Sequence, residues 1–115
     1  MAGPIPQTPT QFWSNVSVAA GATQSYEFDS GQCYFATLII NVDLDASATE
    51  GATLRVYEVT EPSGTKAERP RIAITLDDDP DGVSVEVPPG TYSIEVTNDD
   101  GSYALTLNGW YRLRT

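Results

Sequence analysis

The sequence has no histidine, a single cysteine and, among its six basic residues, one lysine, Lys66. Each shortage removes a class of function. Without imidazole the usual proton shuttle at neutral pH is missing, and neither Ser-His nor Cys-His nucleophiles can be assembled. The lone Cys33 cannot close an internal disulfide, so the chain is not a stapled secreted scaffold. It opens the apolar run Cys33-Tyr34-Phe35-Ala36 and reads as a small buried hydrophobe. Sixteen acidic residues against six basic ones give a net charge of −10, the wrong sign for a surface that displaces counterions from nucleic acid. Apolar residues come in short bursts, none near the ~20 that a membrane-spanning helix needs. The start, Met1 to Gln7, has neither a basic nor an apolar stretch, so no secretory signal is expected. No helical period of useful length occurs, and a phosphate-cradling glycine loop has no helix to open onto.

What is present is period-two alternation. Val83, Val85 and Val87 alternate with Ser84 and Glu86; Tyr92, Ile94 and Val96 alternate with Ser93, Glu95 and Thr97; Tyr103, Leu105 and Leu107 follow. This is the pattern of strands with one buried face. The breaks, Pro88-Pro89-Gly90 and Asn98-Asp99-Asp100-Gly101, are turn chemistry, and three strands so joined predict an antiparallel meander. Further strands are expected around 16–18, 23–29, 33–42, 53–60 and 71–76. In the fourth decade Tyr34, Ala36, Leu38, Ile40 and Val42 share one face while Phe35 and Ile39 stand on the other. A strand apolar on both faces is covered from both sides, so the second face is expected to meet another subunit. Gly109 either leaves Tyr111 and Leu113 facing in with Trp110, Arg112 and Arg114 facing out, or marks a bulge that swaps them.

The chain therefore predicts one all-β domain: an antiparallel two-sheet β-sandwich of eight or nine strands over residues 12–115, jelly-roll or immunoglobulin-like. Pro4, Pro6 and Pro9 make residues 1–11 an extended arm that lies on a neighbour. Phe12 and Trp13 would anchor it. Catalysis is not expected. Asp43, Asp45 and Glu50 are candidates for a carboxylate pair, but a sandwich this small leaves little room for a deep cleft. No cofactor is expected, with calcium at Asp77, Asp79 and Asp81 as the optional exception, since carboxylates on a turn supply oxygen ligands. The aromatic and arginine residues Phe12, Trp13, Trp110, Tyr111, Arg112 and Arg114 are the candidate interface, the residue types that dominate binding energy.

The stretch SNVSVAAGATQSYEFDSGQCYFATLIINV resembles small virion structural proteins of tailed phages and viruses. That likeness implies a capsid decoration, head-fibre or tail component, made in the host cytoplasm and carried in the virion. It would bind the major capsid or tail protein and copies of itself, with no nucleic acid and no membrane as partners. The stretches GATLRVYEVTEPSGT and VPPGTYSIEVTNDDGSYALTL resemble bacterial pre-peptidase C-terminal domains, which are secreted β-sandwich accessory modules of proteases. That likeness implies an extracellular module binding carbohydrate or calcium.

Overall fold

Alternating β-branched and aromatic residues, punctuated by Gly, Pro and Asx turns, condense into strands because each can bury one face and solvate the other. The computed structural model describes residues 9–59, 65–67, 69–76 and 81–114. These hold eight strands: β1 (Thr10–Val18), β2 (Thr23–Asp29), β3 (Phe35–Leu44), β4 (Ala52–Val59), β5 (Ile72–Leu76), β6 (Asp81–Glu86), β7 (Thr91–Asn98) and β8 (Leu105–Arg114). One sheet runs β1-β8-β3-β6 and the other β2-β7-β4-β5. The antiparallel pairs β1·β8, β2·β7, β3·β6 and β4·β5 are those of one long hairpin folded double and rolled up. This is the jelly-roll order, and it excludes the immunoglobulin alternative.

The expected meander is corrected by this topology. β6, β7 and β8 fall where the alternation put them, but β7 lies in the opposite sheet and β3 separates β6 from β8. Alternation reports that a strand has one buried face; it does not report its neighbour. The connections decide. At the β6–β7 link, Ser30 donates its hydroxyl to the Pro88 carbonyl (3.2 Å) and the Gly90 carbonyl (3.1 Å), and accepts the Gly90 amide (2.9 Å). Tyr92 OH also reaches the Pro88 carbonyl at 2.6 Å. These bonds hold the Pro-Pro-Gly segment beside the end of β2, so the chain crosses between sheets instead of doubling back.

The core lies between the sheets: Leu38, Ile40, Val42, Leu54, Val56, Ile94, Val96 and Leu107 are each 0% exposed. β1 begins at Thr10, earlier than the alternation shows, so Thr10 and Gln11 belong to the body and pair with Tyr111 and Trp110. Residues 1–8 of the expected arm lie outside the described residues. β1 is irregular twice, between Gln11 and Trp13 and between Trp13 and Val16. Asn15 takes the second slack in the left-handed region (φ 51°), where Asn is tolerated. Its amide donates to Asn108 Oδ1 at 3.0 Å. The first irregularity turns the adjacent Phe12 and Trp13 both inward, which a regular strand forbids. Tyr34 is a further departure: parity placed it inside with Ala36, yet it precedes β3 and is 52% exposed.

Candidate interaction face

The unbroken register of β3 against β8 and β6 fixes the outer face of the first sheet as rows of side chains. One end carries Arg114, Phe35 and Glu86 abreast, then Arg112, Thr37 and Ser84. The middle row is Trp110 beside Ile39, running out to Gly82, with Gln11 on the β1 side. Beyond it stand Asn108 beside Asn41, and finally Thr106 beside Asp43. No bulge occurs between β8 and β3 at Gly109, so Tyr111 and Leu113 pack against the core while Trp110, Arg112 and Arg114 stay outside.

The six residues singled out from the sequence therefore separate. Trp13 is 3% exposed and part of the core, so it is not surface to offer. Phe12 stacks on Tyr26 with ring centroids 4.7 Å apart, and Tyr111 sits 5.2 Å from Phe28. These three brace the interior beside β1. Burial, and then the neighbouring Tyr26 hydroxyl, push the Tyr111 hydroxyl up from its ordinary value. Trp110 and Arg112 are half-buried and Arg114 is exposed on the outer face. Phe35 and Ile39, each 39% exposed, join them there. The Arg114 guanidinium lies 5.7 Å from the Phe35 ring centre. Pro9, Thr37, Ile39, Trp110 and Arg112 frame a shallow pocket of about 50 Å³, too small for more than one inserted side chain or ring substituent.

Other candidates resolve into structural roles. Asp45 accepts the Ser47 amide at 2.8 Å, an Asx turn. The Asn98–Gly101 turn is a clip. Asp100, 3% exposed, accepts the amides of Thr49 (2.8 Å), Glu50 (3.3 Å), Ser102 (2.8 Å) and Tyr103 (2.9 Å). The Ser102 amide, followed by those of Thr49 and Tyr103, holds the Asp100 carboxyl at about 2, well below its usual range. Asn98, 0% exposed, donates to the carbonyls of Val18, Ala19 and Tyr103 at 3.2, 3.3 and 2.9 Å. On the other sheet's outer face Lys66 is paired with Glu95 and stands over the Tyr57 ring.

The calcium candidates Asp77 and Asp79 lie outside the described residues, as does the Asp81 side chain. Among the described residues, no group of three or more His, Cys, Asp or Glu could hold a metal ion. No described helix is long and apolar enough to cross a membrane.

No protein-family model matches the chain, and no curated protein matches it in sequence. Solved structures do match in fold. The chain is 11% identical to tripeptidyl peptidase 2 with a TM-score of 0.64, over 93% of this chain but only 10% of that one. It thus spans about a tenth of that peptidase. The C-terminal CBM6 of LamC, a marine laminarinase from Zobellia galactanivorans, is 13% identical with a TM-score of 0.56 over 94% of this chain and all (100%) of that one. The pre-peptidase C-terminal domain of collagenase from Bacillus anthracis is 16% identical with a TM-score of 0.55, over 92% of this chain and 85% of that one. The likeness noted in VPPGTYSIEV and SYALTL thus has a counterpart in fold. At such identities the comparisons establish one thing, a shared antiparallel β-sandwich.

Proposed function

We propose that this chain is a non-catalytic binding module of the extracellular accessory kind, and that it docks another macromolecule on the outer face of the β1-β8-β3-β6 sheet. The observation that carries the reading is Phe35 and Ile39, each 39% exposed on a rigid sheet beside Trp110 and two arginines. Apolar surface left uncovered on a regular sheet is costly in water, and aromatic residues with arginine are the types that supply binding energy. The fold it shares with a pre-peptidase C-terminal domain and a CBM6 module supports the extracellular setting over a virion. A virion subunit remains the second reading. It rests on the jelly-roll strand order, which capsid and lectin domains both use.

The test measures two associations of the full chain: with itself by light scattering, and with insoluble polysaccharides and fibrillar collagen by co-sedimentation. At least one is expected in the parent protein. It should be lost in Trp110→Ala and kept in Thr53→Lys on the opposite sheet. No association of either kind, or one that survives Trp110→Ala, overturns the reading.

A further inference from the structure

The layout of the same face specifies its partner. Two residues along a strand span about 6.8 Å, so rows two residues apart are spaced by that much. The Arg114 row lies two rows on one side of the Trp110–Ile39 row, and the Asp43 row lies two rows on the other. The face thus carries Arg114, Phe35 and Glu86 at one end with Arg112 next to them, Trp110 and Ile39 in the middle and Asp43 at the far end, with equal arms of roughly 14 Å. Turned end for end, this surface brings the end holding Arg112 and Arg114 over the end holding Asp43. We infer that this face pairs with a second copy of the chain about a two-fold axis lying along the Trp110–Ile39 row, an inference that rests on the docking reading above.

The rotation brings Trp110 and Ile39 of one protomer onto the same residues of the other. It carries Arg114 over the other copy's Thr106 and Phe35 over its Asp43, so that Arg114 stands one strand from that carboxylate, and it carries Arg112 over Asn108, one strand from Asn41. A lateral offset of one strand is about 4.8 Å, within reach of an arginine side chain. Each charge pair then occurs twice, as an isologous interface requires. A chain of net charge −10 repels itself at long range, and placing Arg112 and Arg114 on the contact face opposes that repulsion where the copies meet. Four strands about 4.8 Å apart and rows about 6.8 Å apart make a face of roughly 600 Å² per copy, at the low end for specific interfaces. The dimer should therefore dissociate on dilution.

Sedimentation equilibrium of the full chain over a concentration series tests this. A monomer–dimer equilibrium is expected. Ile39→Asp should abolish it. Arg114→Glu and Asp43→Arg should each raise the dissociation constant roughly tenfold, and the two together should return it to within about threefold of the parent value. Thermal melts of each variant confirm folding. A protein that stays monomeric throughout, or reversals that fail to compensate, overturns the inference. If the chain is monomeric but Trp110→Ala still abolishes binding to polysaccharide or collagen, the docking face stands and only the second copy is refuted. If no association of any kind is found, both fall.

Discussion

Replacing Gly109 by alanine tests the packing that separates the inner aromatics from the outer face. Gly109 pairs with Trp13 on one side and Ile40 on the other. A Cβ there would lie 3.0 Å from Phe12 Cζ, 3.1 Å from Trp13 Cε3 and 3.3 Å from Ile40 Cδ1. Two effects compete. Alanine in a strand restricts the unfolded chain and should add about 0.5–1 kcal/mol. Overpacking a close-packed core costs about 1–3 kcal/mol. The second should win, because the intruding methyl is confined on three sides. Trp13 is 3% exposed and Ile40 0% exposed, so neither has space to retreat. Phe12 is wedged against Tyr26 at 4.7 Å. The expected net loss is about 1–2 kcal/mol, a fall in Tm of roughly 4–8 °C for a domain of this size. Urea denaturation followed by tryptophan fluorescence gives the free energy, and near-ultraviolet circular dichroism reports the displaced Trp13. In a Phe12→Leu background the penalty should shrink, since the shorter side chain vacates the tightest contact. A Gly109→Ala protein as stable as the parent, or more so, would show that the irregular start of β1 does not clamp Phe12 and Trp13 in place.

The remaining expectations follow from the clip and from the two tryptophans. The Asp100 carboxyl is held at about 2 against an ordinary 3.8, so its contribution to stability is complete above pH 3.8 and is lost as pH falls from there towards 2. Asp100→Asn should flatten stability across that window, as read by denaturant titrations at several pH values; an unchanged slope counts against the clip. Asn98→Ala leaves the carbonyls of Val18, Ala19 and Tyr103 without their donor and should cost roughly 2–4 kcal/mol in the same assay. Trp13→Ala, in the core, should cost about 3–5 kcal/mol, while Trp110→Ala on the outer face should cost less than about 1 kcal/mol; equal losses would contradict their placement. Deletion through Gln11 should lower Tm in a thermal melt, because Thr10 and Gln11 pair with β8; an unchanged Tm would contradict that pairing.

Much of this molecule is written locally in its sequence. Strands around 23–29, 72–76, 83–86 and 91–98 are legible because side-chain period and backbone pleat are the same fact seen twice. The doubled apolar character of β3 foretold that its outer side carries Phe35 and Ile39, since no inner face could take both sets. The absence of imidazole likewise speaks from composition alone. Tertiary structure decided what depends on distant partners. Pairing was one such matter: β6, β7 and β8 alternate alike whichever sheet they join, and it is the Ser30-held Pro-Pro-Gly crossing together with pairing to β2 and β4 that places β7 on the opposite side. The fate of the aromatics was another. Trp13 and Trp110 look equivalent in a linear reading; an irregularity in β1 and the straight register through Gly109 put one in the core and the other on the face. The order of arginine, tryptophan and aspartate along β3 and β8 exists because the two strands run antiparallel, which brings Asp43 and Arg114, 71 positions apart in the chain, to opposite ends of one surface.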